Sequence, residues 1–296
     1  MINGIINVYK EAGFTSFDVV AVMRKIAGQK KIGHTGTLDP DAVGVLPVCL
    51  GKATKLCGML TDGRKTYEAV LLLGKVTDTQ DISGTVLEEH EVNCTESRVR
   101  ECIMSFEGPQ MQIPPMYSAI KQNGKKLYEL AREGRVADRP ARPVVFYEIT
   151  ILRTELPRIS FRVTCSKGTY IRTLCHDIGN ALGCGGCMES LKRTAVGPFR
   201  AEDALTLREI RERADAGCLP DIVIPVDKMF EDLPAVHTAP ADDTAARNGA
   251  VLDIRHTAGQ NDRVRIYDSD NIFVGIYRYH PSDGKYTAEK MFYEVH

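Results

Sequence analysis

The sequence predicts a protein of mixed helices and strands, with one large domain followed by a smaller domain of β-strands. Its 296 residues are more than one core of ordinary size usually holds. Segments with helical spacing of apolar residues are interspersed with short runs rich in Val, Ile and Leu. A stretch with two prolines at residues 233–240 then precedes three strand-like runs. We therefore expect a domain over residues 1–233 and a β domain over residues 234–296 that can be removed without opening the main core.

The first hundred residues carry both helix and strand signals. A Thr-Ser pair at residues 15–16 is typical of a helix cap, and Gly28 is typical of the residue after a helix, so a helix is predicted over residues 17–27. Helical spacing followed by a Gly-Pro pair predicts another helix that includes residues 99–106. The other predictions in this part are strands over residues 5–8, 66–74 and 84–92 and a helix over residues 52–60.

A segment at residues 110–143 differs from its surroundings. It contains four prolines, and seven lysines and arginines fall between residues 121 and 142. Only residues 125–132 have a helical pattern. A basic, interrupted insert of this length in a compact domain is usually functional or disordered. The segment is therefore a candidate binding element.

The rest of the chain predicts a strand pair, two helices and the strands of the small domain. Residues 144–154 and 158–166 alternate polar and apolar side chains as paired strands do. Apolar positions from residue 171 to 182 mark one face of a helix that Gly183 ends, and a capping box at residues 206–209 opens the next helix. In the small domain, strands are predicted over residues 251–255, 263–268 and 272–279.

The distribution of charge is more informative than the net charge of -1. Residues 117–172 contain twelve lysines and arginines but five acidic residues, so one basic face is either a site for a polyanionic partner or a solvated surface. No basic start followed by an apolar core marks a secretory signal, and no apolar run reaches the roughly 18 residues that span a bilayer. Nine scattered cysteines do not suggest a disulfide framework. We therefore expect a cytoplasmic protein.

The stretch KIGHTGTLDPDAVGVLPVCLG, residues 31–51, places an acid between a glycine-rich turn and an apolar run. The glycines permit a sharp turn, Pro40 stiffens the chain after Asp39, and the apolar residues anchor the loop in a core. Asp39 is thus either a rigidly held nucleophile or general base, or an acid that only hydrogen-bonds its own turn. Gly51 and the following lysine lack the other residues of a phosphate-binding P-loop, and His34 and the nearby aspartates lack the spacing of a metal site.

A second stretch, CSKGTYIRTLCHDIG at residues 165–179, places Arg172 in the first turn of a predicted helix. A cation is unfavourable there, because the N-terminal end of a helix already carries partial positive charge. A carboxylate partner such as Asp39 would explain the arginine, and the alternative is a solvated side chain. His176 and Asp177 in the same helix have no evident partners, which disfavours a metal site.

Four stretches of the chain form a joint pattern: GHTGTLDPDAVGVLPVCLGKATK, KTYEAVLLLGKVTDTQDISG, PPMYSAIKQNGKKLYELAREG and CSKGTYIRTLCHDIGNALGCGG. In order and spacing, over roughly the first 200 residues, they resemble the TruB family of bacterial tRNA pseudouridine-55 synthases. The C-terminal part resembles a PUA-like RNA-binding domain. The resemblance implies the α+β pseudouridine synthase fold, with a mixed, largely antiparallel central sheet and the 110–143 segment inserted as a clamp on RNA.

The resemblance also implies roles for individual residues. Asp39 matches the family's catalytic aspartate and Arg172 the arginine that pairs with it. Tyr67 matches the tyrosine that stacks on the target uracil and is a candidate to deprotonate C5. His34 would help to hold the flipped base out, and Glu11 stands where the family has a proline. The complete set of expected substrate contacts is His34, Lys10, Leu191, Lys121, Lys125, Lys126 and Arg132.

The implied reaction converts a T-loop uridine of tRNA to pseudouridine: the C1′–N1 bond breaks, uracil rotates, and C1′ joins C5. Nothing is added to the base, so we expect no cofactor and no metal. The expected partner is the T-arm of tRNA, with no protein partner, and we expect a monomer. Two alternatives remain, a guide-dependent RNA pseudouridine synthase and a non-catalytic tRNA-binding or folding factor. The first normally has extra terminal regions, and the second would not need Asp39.

Overall fold

The fold is built on one large sheet. A computed structural model describes residues 1–122, 124–254 and 261–293 of the chain. Within these residues, nine strands form the large sheet, four form a C-terminal sheet, and two further pairs form small ribbons. Neighbouring strands of the large sheet run antiparallel apart from one parallel pair. The mixed α+β arrangement and the largely antiparallel sheet expected from the sequence are therefore present.

The strands before residue 233 have a different order in the sheet from their order along the chain. They are β1 (Gly4–Lys10), β2 (Ile32–His34), β3 (Val43–Leu50), β4 (Lys65–Leu73), β5 (Lys75–Thr77), β6 (Val86–Glu89), β7 (Gly108–Gln112), β8 (Lys121–Gln122), β9 (Lys125–Lys126), β10 (Arg142–Glu155), β11 (Arg158–Cys165), β12 (Gly186–Val196) and β13 (Phe199–Arg200). The sheet order is β1-β3-β12-β4-β11-β10-β7, with β2 beside β3 and β13 beside β12. The parallel pair, β3 and β12, brings the strand that follows Asp39 next to the centre of the sheet.

Three of the helices are bounded by caps that the sequence predicts. The helices are α1 (Ser16–Ile26), α2 (Cys57–Thr61), α3 (Glu96–Met104), α4 (Leu127–Arg132), α5 (Ile171–Leu182), α6 (Leu207–Asp215) and α7 (Asp243–Arg247). Thr15 caps α1, the capping box at Thr206 opens α6, and Gly183 ends α5 with a φ of 76°. The helix predicted over residues 52–60 is instead a 3-10 turn at Gly51–Leu56 followed by α2. In the described part of the chain, no helix combines the length and apolar character that crossing a membrane requires.

The segment at residues 110–143 is less separate from the sheet than its composition suggests. Its first residues belong to β7 and its last two begin β10, and these strands pair, with Gln112 opposite Arg142. The Gly-Pro pair at residues 108–109 therefore opens a strand rather than only ending a helix. Between the two strands lie the β8–β9 ribbon and α4. The segment is consequently joined to the β7 edge of the sheet by two hydrogen-bonded strands.

The small C-terminal sheet begins earlier in the chain than predicted. Its strands are β14 (Ala235–His237), β15 (Arg263–Tyr267), β16 (Phe273–His280) and β17 (Lys285–Met291). The strands predicted over residues 263–268 and 272–279 are confirmed as β15 and β16. The linker expected at residues 233–240 contains β14, which pairs parallel with β15. Of the strand predicted over residues 251–255, Leu252 makes only an isolated bridge, and Arg255 lies outside the described residues.

The two domains share a hydrophobic core, which corrects the expectation that the second can be removed without opening the first. Ile276 and Phe292 of the C-terminal domain lie in one buried cluster with Leu56 of the large domain. The ring of Phe230 lies 6.4 Å from that of Phe273 and 6.0 Å from that of Phe292. A chain ending near residue 233 would therefore expose part of the main core to water.

Phe230→Ala should lower the free energy of unfolding by about 3 kcal/mol, because deleting a buried ring leaves a cavity between the domains. Phe230 is 4% exposed. Equilibrium unfolding in urea measures the change. Ile272→Ala is the control, because this side chain of the C-terminal domain is 48% exposed, and its loss should cost less than about 0.5 kcal/mol. Equal effects of the two substitutions would contradict a shared core.

Candidate active site

Asp39 lies in the loop between β2 and β3, and the protein holds this loop by its backbone on both sides of the acid. The hydroxyl of Ser16, at the start of α1, accepts a hydrogen bond from the Leu38 N–H at 2.9 Å and donates to the Leu38 carbonyl at 3.3 Å. The N–H of Gly13 donates to the Pro40 carbonyl at 3.0 Å. The carboxylate is therefore carried by a loop whose position does not depend on the acid itself, as a preorganised reacting group requires.

Lys10 supports the same loop from inside the protein, which corrects the prediction that it contacts the substrate. The side chain is fully buried in β1. Its ammonium donates to the carbonyls of Pro40 at 2.8 Å, Ala42 at 2.6 Å and Glu11 at 3.1 Å. These bonds use all three N–H groups of the ammonium, so none remains for RNA. Burial lowers the pKa of Lys10 to about 8, although the charges of the nearby aspartates oppose the change.

Arg193, on β12, is a third support and was not among the predicted site residues. It is fully buried, and its guanidinium donates to the carbonyls of Gly36 at 3.2 Å, Thr37 at 3.4 Å and Val45 at 2.7 Å. Gly44 allows β12 to approach this closely, because its φ is +106° and a Cβ there would lie 2.2 Å from the Arg193 carbonyl oxygen. Arg193 thus holds the loop from β12, in addition to the bonds from α1.

Arg172, in the first turn of α5, forms the predicted ion pair with Asp39. Its Nε lies 3.0 Å from Oδ2 of Asp39, and its second terminal nitrogen lies 3.3 Å from Oδ1, so the contact is bidentate. The guanidinium also donates to the carbonyls of Thr79 at 3.1 Å and Tyr117 at 2.9 Å. The Arg172 side chain is 6% exposed, whereas that of Asp39 is 41% exposed. The arginine is therefore fixed by the protein, while the carboxylate keeps an open side.

Asp81 is a second acid of the site that the sequence did not reveal. One carboxylate oxygen lies 3.7 Å from Arg172, and the other accepts hydrogen bonds from the hydroxyls of Thr79 at 2.8 Å and Ser83 at 2.6 Å. Burial raises the pKa of Asp39, the charge of Arg172 opposes this rise, and the charge of Asp81 adds to it. The net direction is upward, so the ion pair offsets only part of the effect of burial.

Tyr67 and Leu191 form a buried wall beside the loop. Both belong to the cluster that contains Leu38 and Ala42, which flank Asp39. Tyr67 lies on β4 directly opposite Arg193 of β12, and Leu191 lies two residues before Arg193 on the same face of that strand. Burial raises the pKa of Tyr67, although the charge of Arg193 opposes the change, so the phenol is neutral at pH 7.

His34 ends β2 and is half-buried. Its Nδ1 accepts a hydrogen bond from the Gly36 N–H at 3.3 Å. Burial lowers the pKa of His34, and the charge of Arg193 lowers it further, so the ring is neutral at pH 7. A neutral ring suits stacking or filling of space better than pairing with a phosphate.

The basic side chains of the insert are partly engaged within the protein. Lys125 forms an ion pair with Glu133 at 2.9 Å. Lys126 and Arg132 lie over the ring of Tyr128, at 5.2 Å and 5.4 Å from its centroid. Those that are exposed to solvent include Lys121, Lys125 and Arg132. The predicted clamp therefore offers less uncompensated positive charge than its composition suggests.

The sequence contained only weak signals for the two missed residues. Arg193 lies in MESLKRTAV, a strand-like stretch in which an inward-facing arginine is unexpected. Asp81 lies within the stretch that includes Tyr67, but its partner Arg172 is distant in the chain. Among the residues that the structure describes, no group of three or more His, Cys, Asp or Glu side chains is placed to hold a metal ion.

Known proteins match this chain along almost its whole length. Residues 24–171 match the TruB family pseudouridylate synthase N-terminal domain, and residues 172–231 match the tRNA pseudouridylate synthase B C-terminal domain. A protein of Lachnoclostridium phytofermentans named tRNA pseudouridine synthase B is 52% identical, over 98% of this chain and 99% of that protein. A protein of the same name from Clostridium acetobutylicum is 43% identical, over 93% of this chain and 94% of that protein.

Solved structures share the fold. A chain in the structure of an H/ACA ribonucleoprotein bound to a substrate RNA containing 2′-deoxyuridine is 29% identical, with a TM-score of 0.73 over 98% of this chain and 85% of that chain. A chain of a Cbf5-Nop10-Gar1 complex is also 29% identical, with a TM-score of 0.70 over 99% of this chain and 84% of that chain. Together with the family match, these likenesses confirm the pseudouridine synthase fold that the sequence implied.

Proposed function

The chain belongs to the TruB family of pseudouridylate synthases, and we propose that it converts uridine 55 in the T-loop of tRNA to pseudouridine. The substrate is supported by relatives that carry the name tRNA pseudouridine synthase B and match at least 93% of the chain. The observation that carries the proposal is the bidentate pair of Arg172 with Asp39, whose carboxylate is 41% exposed. An acid held this rigidly and still open on one side can meet a ribose that is brought to it.

Asp39 is the proposed reacting group. In the reaction the C1′–N1 bond breaks, the uracil rotates and a C1′–C5 bond forms, while N1 gains a proton and C5 loses one. The carboxylate acts either as a nucleophile on the sugar or as a base at C2′, and both roles require its ionised form. Arg172 orients the carboxylate and offsets part of the rise in its pKa that burial causes.

The target base must leave the T-loop to reach Asp39, at a cost of a few kcal/mol. The proposed compensation comes in part from the wall beside the loop, where Tyr67 provides a ring for stacking, worth about 1–3 kcal/mol. Leu191 provides an apolar surface in the same wall. His34 is proposed to occupy the space that the flipped nucleotide leaves in the RNA.

We propose that the enzyme acts on tRNA without a protein partner, as a monomer in the cytoplasm, where tRNA is made. Residues 1–233 are the proposed catalytic domain and residues 234–296 a PUA-like RNA-binding domain. The insert is the proposed clamp on the T-arm, with Lys121 and Arg132 as its exposed cations.

The test of this function is the activity of the purified protein on an unmodified tRNA transcript, with no other RNA or protein present. With tritium at C5 of the uridines, turnover releases tritium to water because C5 loses its hydrogen. A transcript with cytidine at position 55 is the control. Release from the first transcript and none from the control is the expected result. Absence of release would reject the proposal, and release only after a guide RNA is added would favour a guide-dependent synthase.

Asp81→Asn should move the acid limb of the pH–rate profile to lower pH. Asp39 reacts only when ionised, so activity is lost as the pH falls through its pKa, and the charge of Asp81 is one cause that raises this pKa. Asp41→Asn is the matched control, because Asp41 raises the pKa of Asp39 less and should give a smaller displacement. Values of kcat/KM between about pH 4 and pH 8 measure the limb. A limb that stays in place or moves upward for Asp81→Asn would contradict the arrangement.

A further inference from the structure

A concave surface lies beside the catalytic loop, between the start of α1, β2 and the 3-10 turn after β3. It is an open groove of about 550 Å³, and its lining includes Phe17, Arg24, Lys30, Lys31 and His34. None of its lining residues, all of which are described, is acidic. His34 lines the groove and also bonds to Gly36 of the loop that carries Asp39, so the groove begins where this loop begins.

The cations of this groove are uncompensated. Arg24, Lys30 and Lys31 are exposed, and within the described residues none of them has a carboxylate within 4.0 Å. The basic residues of the 117–172 stretch behave differently, since several of them have acidic partners, such as Arg162 with Glu68 at 2.7 Å. The positive charge available to a polyanion is therefore greater in the groove than the composition of the chain predicts.

Further lysines continue this positive surface toward the C-terminal domain. The ammonium of Lys55 donates to the carbonyl of Met291 at 2.8 Å, which joins the 3-10 turn to the end of β17. Lys52 and Lys55 belong to this turn, and the Gly51 N–H at its start donates to the Lys31 carbonyl at 2.8 Å. Lys290 precedes Met291 in β17. The charges of Lys52, Lys31 and Lys290 add to the effect of burial in lowering the pKa of Lys55. The surface thus extends from the groove to a domain whose net charge is negative, with seven lysines and arginines against nine acidic residues.

The groove also has an aromatic platform. Phe17, at the start of α1, is 66% exposed, although an exposed phenylalanine contributes nothing to the core. An exposed ring beside uncompensated cations is the combination that binds single-stranded nucleic acid, because bases stack on the ring and phosphates meet the cations. An acidic peptide would use the cations but would have no use for the ring.

We propose that this groove binds an unpaired nucleotide of the substrate RNA next to the one that reacts, with its base on Phe17 and its phosphates at Arg24, Lys30 and Lys31. The RNA backbone then continues along Lys52, Lys55 and Lys290 to the C-terminal domain. This inference rests on the proposed function, because it assumes that the polyanion brought to Asp39 is RNA. It explains how a protein with a net charge of -1 binds a polyanion, because unpaired positive charge is concentrated in the groove.

The experiment measures the affinity of a fluorescent T-arm hairpin at several salt concentrations, in the Asp39→Asn background so that no turnover occurs. Phe17→Ala should weaken binding about tenfold, and Phe17→Leu, which keeps an apolar side chain without a ring, should weaken it nearly as much. The double variant Lys30→Ala/Lys31→Ala should weaken binding and lower the slope of log Kd against log salt by about 1 to 2. The matched control is Arg98→Ala/Arg100→Ala on α3, which removes two exposed cations that, within the described residues, also have no carboxylate within 4.0 Å. The control should change neither quantity.

The outcomes separate this inference from the proposed function. Turnover of the hairpin by the protein with Asp39 intact tests the function, and the affinities test the groove. Normal turnover together with groove variants that bind like the control would overturn the groove and leave the function standing. Polyglutamate that competes as well as an RNA of equal charge would also overturn it, because stacking on Phe17 would then have no part in binding. Unchanged thermal midpoints of the variants show that the exposed positions were changed without unfolding the protein.

Discussion

Asp39→Asn should abolish isomerisation, lowering kcat by roughly 10⁴-fold or more, while RNA binding persists. The amide has the size of the carboxylate but is neither a nucleophile nor a base. The bonds that hold the loop, from Ser16, Gly13 and Lys10, all involve the backbone, so the loop should stay in place. Release of tritium from C5-labelled uridine in tRNA measures turnover, and substantial release by the variant would contradict the role of Asp39.

The same variant should be at least as stable as the original protein at pH 7. A carboxyl group whose pKa is raised by folding contributes stability below its unfolded pKa, and that contribution is lost as the pH rises through the raised value. The neutral amide has no such loss. Thermal midpoints at pH 7 test this, and a large fall for Asp39→Asn would mean that the pair with Arg172 stabilises the fold rather than only orienting the acid.

Tyr67→Phe should keep RNA affinity and lose most turnover, roughly 100-fold. The phenylalanine ring keeps the stacking surface and the packing against Leu191, so only the hydroxyl is lost. Tyr147→Phe is the matched control, because this tyrosine is 40% exposed and packs against Arg64 on the surface. A Tyr67→Phe enzyme as active as the original would leave Tyr67 with a stacking role alone.

The pH dependence of turnover separates two ways in which the hydroxyl could act. Burial raises the pKa of Tyr67 and Arg193 opposes the rise, so the phenolate is scarce at pH 7 but has a cation opposite it. A phenolate that removes the C5 proton would make turnover rise with pH toward that pKa, and the rise would vanish in Tyr67→Phe. A turnover that is flat above pH 7 in both proteins would exclude a phenolate base.

Several features of the site could be predicted because their signals are local. The glycine-rich turn, Pro40 and the apolar run after it indicated a rigidly held Asp39, and the loop is indeed bonded along its backbone. A cation in the first turn of a helix suggested a carboxylate partner such as Asp39 for Arg172, with a solvated side chain as the alternative, and the structure places Asp39 at 3.0 Å. In both cases the reasoning used only the residue and its neighbours in the chain.

Other features depended on contacts between distant parts of the chain. The sequence does not distinguish Lys10 from a lysine that contacts the substrate. In the structure β1 pairs with β3, and the ammonium of Lys10 therefore points into the loop. The insert is rich in cations, but acids such as Glu133 engage some of them. The prolines near residue 233 indicated a linker, but Phe230 and Phe292 join the two domains in one core.

The sequence by itself determined most of the helices and strands, since caps, glycines and hydrophobic spacing are properties of short segments, and its four motifs implied the reaction through their resemblance to the TruB family. Only the tertiary structure decided the partners: Arg193 beneath the loop, Asp81 beside Arg172, and the groove at Phe17. The reason is that pairing of β3 with β12 and of β12 with β4 brings residues more than a hundred positions apart within bonding distance. Which way a side chain points, and whether a charge is already paired, follows from that register rather than from the residue's own neighbours.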